Sequence, residues 1–125
     1  MAVTPSFRDY VLEQLAGLGR VRPHRMFGGV GLYCDELFFA LITDDTLHLK
    51  VDDGNRDDFI RRGMKPFCPY RDRPEWEMGY YEVPADVLED AEAMVAWARK
   101  SVRAAFAAPA RKATRKPGRK PIVKS

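Results

Sequence analysis

Apolar residues recur at helical spacing near the start of the chain. They predict a helix between Thr4 and Gly19 with one apolar face. Pro5 suits the first helical position, and Ser6 followed by Asp9 resembles a capping box. The residues of the apolar face are Phe7, Tyr10, Val11, Leu15 and Leu18.

Two more helices are predicted in the second half of the chain. Asn55 begins a short helix that Gly63 ends, with acidic residues in its first turn and arginines in its last, as the helix dipole favours. A single long helix is expected from about Asp86 to Phe106, where apolar residues again fall on one face.

Four strands joined by tight turns are predicted between the first two helices. The strands are Val21 to Phe27, Val30 to Cys34, Leu37 to Thr43 and Thr46 to Val51, and the turns are Gly28-Gly29, Asp35-Glu36 and Asp44-Asp45. Turns this short make successive strands antiparallel neighbours. Alternation in the fourth strand places His48 on its solvent-facing side. A last strand is expected from Glu77 to Val83.

Strands grouped between helices predict an α+β fold. We expect two layers, with an antiparallel sheet of five or six strands and the helices packed on one face, in the order α-β-β-β-β-α-β(-β)-α. The other face is expected to stay wet or to meet a partner. Residues 1–106 are predicted to form the domain. Residues 107–125 are predicted to be a disordered tail, because they contain too few apolar side chains to offset the entropy of ordering.

Charge divides at the same boundary. The 125 residues have a formal net charge of +3, but residues 1–106 contain 14 basic and 18 acidic side chains and are mildly acidic. The tail contains seven cations and no acid: Arg111, Lys112, Arg115, Lys116, Arg119, Lys120 and Lys124. Seven phosphate contacts give a log–log salt slope of about −6. The tail is therefore predicted to bind nucleic acid.

Part of the tail has a more specific pattern. Residues 115–121 resemble the AT-hook, a short segment that lies in the minor groove of AT-rich DNA, although Lys120 separates Arg119 from the final proline. The alternative is a solubilising tail with incidental affinity for polyanions.

Composition limits the class of protein. The sequence has no apolar run long enough to span a membrane, and its first residues lack the pattern of a signal peptide. We therefore expect a cytoplasmic protein without membrane contact. Cys34 and Cys68 are too few and too far apart for a disulfide framework or a zinc site, so both are expected to be reduced, partly buried thiols.

Residues that could carry catalysis are few. A dyad would pair His24 or His48 with a cysteine or serine, and we expect surface or structural roles for both histidines. Paired aspartates fall at turns or at a helix start, where aspartate is locally favoured, and a weak divalent-metal site at Asp52-Asp53 is the alternative. The segment from Gly28 to Gly31 lacks the lysine and hydroxyl of a phosphate loop. We predict no enzyme activity, no cofactor and no metal.

The aromatic residues Trp76, Tyr80 and Tyr81 raise the possibility of a nucleic-acid stacking platform. Such a platform places basic residues beside aromatics on neighbouring strands. Glutamates flank these aromatics instead, which favours core packing or a protein interface.

Several short motifs follow one another in a distinctive order. They are Arg25-Met26-Phe27-Gly28-Gly29-Val30-Gly31-Leu32-Tyr33, then Phe38 to Ile42, Leu47 to Asp52, Gly63 to Phe67, Met78 to Pro84, and Trp97. Over about residues 5–106 the chain resembles the N-terminal domain of the TfoX (Sxy) family, bacterial regulators associated with natural competence. The positions that carry the resemblance include Arg25, Met26, Phe27, Gly28, Gly29, Gly31, Tyr33, Tyr80 and Tyr81.

The resemblance implies an α+β domain similar to secretion-chaperone-like folds, which commonly dimerise, and it supplies no catalytic residues. Full-length family members act with the cyclic-AMP receptor protein, and many carry a second, helical domain where this chain has its basic tail. We expect a non-enzymatic regulator of transcription or competence, a homodimer or partner of another protein, with a tail that binds DNA. The alternative is a homodimeric adaptor, or a module for a peptide or small ligand, whose tail only aids solubility.

Overall fold

The computed structural model describes residues 3–26, 28–67 and 79–107. The helices are α1 (Pro5–Gln14), α2 (Arg56–Ile60), α3 (Ala85–Leu88) and α4 (Ala91–Ala107), and a short 3₁₀ helix covers Ala16–Leu18. The strands are β1 (Val21–Met26), β2 (Gly29–Cys34), β3 (Leu37–Thr43), β4 (Thr46–Lys50) and β5 (Tyr80–Glu82). Within these ranges the strands form one antiparallel sheet in the order β1-β2-β3-β4-β5. The predicted α+β class is confirmed.

Two of the predicted tight turns join β2 to β3 and β3 to β4. Their central residues, Asp35 with Glu36 and Asp44 with Asp45, all have positive φ, between 50° and 70°. Positive φ at both central positions is typical of the hairpin turn whose twist matches that of the flanking strands. These acidic pairs therefore shape the meander.

A bulge sits between β2 and β3. Leu32 lies opposite Ala40, but Tyr33 lies opposite Phe38, which leaves Phe39 as an extra residue on β3. An extra residue bends the strand and turns its side chain, and Phe39 is fully buried in the core.

The core lies between one face of the sheet, here called the core face, and the helices. Inward residues of β2, β3 and β4 meet the apolar sides of α1, α2 and α4. The largest fully buried apolar side chains are Phe39, Phe59, Leu15, Leu32, Ile42, Leu47, Leu49, Met94 and Val11. The helices thus cover a single face, as the pattern predicted.

The capping box expected at the start of α1 is wrong. Thr4 is the N-cap, and its hydroxyl accepts a hydrogen bond from the Phe7 N–H at 3.3 Å. The Asp45 carboxylate accepts from the N–H and the hydroxyl of Thr4, at 2.8 and 3.0 Å. The helix start is therefore tied to the β3–β4 turn, a contact between distant residues that local spacing does not show.

The single long helix predicted from residue 86 is also wrong. The chain forms α3, leaves the helix at Glu89 and Asp90, and starts again as α4. The Asp90 carboxylate accepts hydrogen bonds from the N–H groups of Glu92 and Ala93, at 3.1 and 3.2 Å. Aspartate before an apolar helical run is a start signal, and apolar periodicity alone conceals it.

The last strand was predicted to run from Glu77 to Val83. In the described residues β5 covers Tyr80–Glu82, so Val83 does not belong to it. Phe27, Cys68, Trp76 and the seven tail cations lie outside the described residues.

Candidate functional site

The sheet face opposite the helices, here called the second face, gathers much of the distinctive sequence. Side chains alternate along a strand, so a residue whose strand neighbours face the core lies on the second face. They are Arg22 and His24 on β1, Gly31 and Tyr33 on β2, Phe38 and Leu41 on β3, His48 and Lys50 on β4, and Tyr80 and Glu82 on β5.

Three rings form an aromatic row across the second face. The centroids of Tyr33 and Phe38 are 5.2 Å apart with planes 27° from parallel, and those of Phe38 and Tyr80 are 5.5 Å apart. The Arg22 guanidinium lies 4.8 Å from the centroid of Tyr33, and the Lys50 ammonium 5.2 Å from that of Tyr80. Such cation–π contacts are worth about 0.5–2 kcal/mol each. The aromatic row (Tyr33, Phe38, Tyr80) thus has a cation at each end.

The aromatic row is mainly a packing element. Tyr80 is 3% exposed, and its burial raises the pKa of its phenol well above the usual range. A Cβ on Gly31 would lie 2.8 Å from side-chain atoms of both Met26 and Phe38, so only glycine lets these side chains close over the strand. Tyr33 and Phe38 remain half-buried. The Met-x-x-x-x-Gly-x-Tyr pattern of residues 26–33 therefore serves this packing.

The structure brings some of the sequence-predicted site residues together and separates others. Met26, Gly31, Tyr33 and Tyr80 meet at the aromatic row. Tyr81 points to the core face, with its ring centroid 5.7 Å from that of Phe59. The others lie along the β1–β2 hairpin: Arg25 is exposed on β1, Gly28 has a φ of 77° in the turn, and Gly29 begins β2.

The expectation that His48 faces solvent is wrong. His48 is 7% exposed, and its ring centroid lies 5.0 Å from that of Phe67. Its Nδ1 is buried and has no hydrogen-bond partner within the described ranges. Burial lowers the pKa of His48, and a hydrogen bond with the Leu41 backbone only partly opposes this. The imidazole is therefore held in its neutral form.

The second face was expected to stay wet or to meet a partner, but at His48 it is covered by the chain itself. The Phe67 N–H donates to the Tyr80 carbonyl at 2.7 Å, and the Glu82 N–H donates to the Lys65 carbonyl at 3.0 Å. Residues 65–67 thus continue the sheet beyond β5 and bring Phe67 over His48. Alternation predicted the correct face for His48 but not this cover.

The thiol of Cys34 is separated from both histidines by the sheet. Cys34 belongs to the buried core, whereas His24 and His48 lie on the second face. Burial and the neighbouring Asp35 raise the pKa of the Cys34 thiol, which keeps it protonated and weakly nucleophilic.

The acidic pair at Asp52 and Asp53 makes local contacts. The Asp52 carboxylate accepts from the Gly54 N–H at 2.8 Å, and Asp53 forms an ion pair with Arg56. Among the described residues there is no group of three or more histidine, cysteine, aspartate or glutamate side chains that could hold a metal ion.

A buried polar cluster joins β4, α2 and α4, and sequence reasoning missed it. Asn55 is 2% exposed and Ser101 is fully buried. Asn55 accepts from the Asp52 N–H at 2.8 Å and donates to the Lys50 carbonyl at 3.1 Å, and the Ser101 hydroxyl donates to the same carbonyl at 2.8 Å. Asn55 was predicted only as a helix start, yet its side chain makes no capping bond.

A groove of about 670 Å³ lies between the end of α1 and the outer side of α4. Its floor includes Gly17, Val95 and Ala96, and charged side chains such as Glu13 and Arg99 stand at its rim. Neither a histidine nor a cysteine lines it. The groove can take an apolar side chain or a small ligand, and its lining has no serine, threonine, cysteine or histidine.

Comparison with known proteins decides the family. The family model described as the TfoX N-terminal domain matches residues 13–105, most of the chain. The chain belongs to the TfoX N-terminal domain family. The TfoX match includes all five strands and nearly all of α4, and it confirms the resemblance drawn from the motifs.

One curated relative is similar to this TfoX-family chain along almost its whole length. It is an uncharacterized 12.7 kDa protein in the trpE 5′ region of Spirochaeta aurantia, 32% identical over 123 residues. The alignment covers 97% of this chain and 100% of the relative. In the described part of the chain, no helix has both the length and the apolar character needed to cross a bilayer.

Proposed function

We propose that this TfoX-family chain is a non-enzymatic, cytoplasmic regulatory protein with two parts. The domain, residues 1–106, binds a protein partner or a second copy, and the tail, residues 107–125, holds DNA. The observation that carries the proposal is the charge division, since seven of the 21 lysines and arginines follow residue 106 without an acid.

The physical basis for DNA binding is counterion release. Each cation that neutralises a phosphate frees a condensed counterion, and seven such contacts give a log–log salt slope of about −6. The Arg-Lys-Pro-Gly-Arg-Lys-Pro segment of residues 115–121 suits an extended backbone in a groove. Membership of a family of competence regulators supports a role in transcription.

The described histidines and the described thiol support a non-enzymatic role. Burial favours the neutral imidazole of His48 and the protonated thiol of Cys34. Each stands on its own side of the sheet, so they cannot form a nucleophile–base pair.

The groove between α1 and α4 favours a second candidate function. Its apolar floor and charged rim suit a peptide side chain or a small ligand. In that case the chain is an adaptor, homodimeric or bound to another protein, and the tail adds solubility.

One experiment separates the two functions. The seven tail cations are replaced by glutamine in the full-length chain, and binding to a 24-base-pair duplex is followed by fluorescence anisotropy from 50 to 300 mM salt. The oligomeric state is recorded by sedimentation in the same buffers.

The regulatory proposal predicts that the neutral tail removes most of the salt dependence and most of the affinity. Unchanged DNA retention at low salt contradicts the tail assignment. Negligible DNA affinity of the native chain at physiological salt supports the adaptor instead.

A further inference from the structure

The edge of the sheet formed by β1 is strongly basic. Arg20, Arg22 and Arg25, here called the basic edge, are exposed within six residues of sequence. β1 is the outer strand of the described sheet and pairs only with β2. Arg22 shares a side of β1 with His24, and Arg25 projects from the other side, so positive charge lines both sides of the edge.

The cations of the basic edge have fewer acidic neighbours than five other arginines and lysines of the described domain. Arg20 and Arg25 form no ion pair with any described residue. Arg22 has one partner there, Glu36, at 3.3 Å, and that carboxylate is 85% exposed. Elsewhere in the described residues, ion pairs include Arg8–Asp9, Arg56–Asp53, Arg61–Asp58, Arg62–Asp86 and Lys100–Asp58.

The sequence around the basic edge explains the difference. No acidic residue occurs between Glu13 and Asp35, although acids outnumber bases over residues 1–106. The negative net charge of the domain therefore arises on other surfaces. The basic edge keeps a local positive field because carboxylates are absent from its stretch of sequence and, among the described residues, only Glu36 pairs with it.

The backbone of this edge is unsuited to pairing with another strand. Pro23, in the middle of β1, has no N–H to donate to a ladder. A second β1 would bring its own arginines against these, and like charges repel. The chemistry that fits several exposed guanidinium groups along one edge is phosphate, which arginine binds through paired N–H donors.

We propose that the basic edge binds the phosphate backbone of DNA, so that DNA contacts the folded domain as well as the tail. The proposal rests on the proposed function for the choice of DNA as ligand. The 18 residues after Ala107 span at most about 60 Å, so tail and edge can reach the same duplex. Contacts to phosphate alone fix position and carry no sequence preference.

The test uses the full-length chain with the double substitution Arg20→Ser and Arg25→Ser. The salt dependence of binding to the 24-base-pair duplex is measured by anisotropy. Each lost phosphate contact reduces the slope by about 0.9, so the slope becomes less steep by about 2. Thermal unfolding by circular dichroism establishes that the variant is folded.

A matched control removes the same charge elsewhere. Arg61→Ser with Arg62→Ser deletes two exposed cations that lie beside Asp58 and Asp86. The control variant should have the same salt slope as the native chain. Equal changes in the two double variants, or no change in the edge variant, overturn the proposal.

Two further arms identify the source of any failure. If the neutral tail abolishes the salt dependence and the edge variant leaves it intact, the edge proposal fails while the tail assignment stands. If the neutral tail has no effect on the salt slope, the tail assignment fails. The slope of the edge variant then shows whether the basic edge binds DNA. A loss of binding to a poly-glutamate peptide of equal charge, with DNA binding unchanged, assigns the edge to acidic proteins and overturns the proposal.

Discussion

The two edges of the sheet are finished in opposite ways. At the β5 edge, residues 65–67 add hydrogen bonds beyond the last strand. At the β1 edge, no described segment pairs with the strand, and arginines and Pro23 occupy it instead. Charge and proline are common guards of an edge strand against unwanted pairing. Closure by the chain gives stability at one edge, whereas closure by charge leaves the other edge available to a polyanion.

Substitution in the core beside β5 should cause the largest loss of stability. Phe59 is 1% exposed, and its ring centroid lies 4.9 Å from that of Trp97 and 5.7 Å from that of Tyr81. Phe59→Ala should lower the free energy of unfolding by about 3–5 kcal/mol, measured by urea titration. Ile60→Ala, at a neighbouring site that is 51% exposed, should cost less than about 1 kcal/mol. Similar losses at both sites would contradict the packing described for α2.

The buried polar cluster on the same side should give a smaller loss. Asn55→Ala leaves the Asp52 N–H without its side-chain acceptor, while the Lys50 carbonyl keeps the Ser101 hydroxyl. A buried polar group left unpaired costs about 1–3 kcal/mol. The free energy of unfolding of this variant is compared with that of Asp57→Ala, an exposed change two residues away. If the two variants are equally stable, the Asn55 side chain does not hold α2 to β4.

The neutral state of His48 should appear as a pH dependence of stability. Its pKa is lowered from 6.5 in the folded chain, so below that pH the unfolded chain binds more protons than the folded chain. Stability should therefore fall as pH decreases from 7 towards 5, by at most about 1.4 kcal/mol per unit from this group. His48→Phe should flatten the slope of unfolding free energy against pH.

His24 provides the control for this titration, because it is exposed on β1. His24→Gln should leave the pH slope of the native chain in place. A slope that disappears with His24→Gln and persists with His48→Phe would reverse the assignment.

Substitution of the arginines at the β1 edge should change the stability very little. Arg20→Ser with Arg25→Ser removes exposed cations without an ion pair in the described residues, and such surface changes stay within about 0.5 kcal/mol. Urea titration of this variant measures the difference. A loss of 2 kcal/mol or more would mean that the arginines support the fold, and the edge would then resemble the β5 side.

The sequence was sufficient where structure depends on neighbours along the chain. The strands β1 to β4 and the turns at Asp35-Glu36 and Asp44-Asp45 follow from alternation and from the acidic residues between apolar runs. Two predictions failed where distant residues decide the outcome. His48 is buried by Phe67, and Thr4 caps α1 while bound to Asp45; neither contact leaves a local pattern.

The aromatic row and the basic edge were hidden for related reasons. The sequence drew attention to Tyr80 with its flanking glutamates, whereas the structure places Tyr33 and Phe38 beside it from two other strands. The net acidity of residues 1–106 conceals the basic edge, because a sum over residues cannot show that acids and bases occupy different surfaces.

The salt dependence of DNA binding by four full-length proteins tests the two-part contact most directly. These are the native chain, the neutral-tail chain, the Arg20→Ser/Arg25→Ser chain and the chain with both sets of changes. With about 0.9 per phosphate contact and Arg22 present in all four proteins, the expected log–log slopes are about −9, −3, −7 and −1. If the slopes change only with the tail substitutions, the folded domain does not contact DNA. If the tail substitutions leave the slopes unchanged, the proposed role of the basic tail is contradicted.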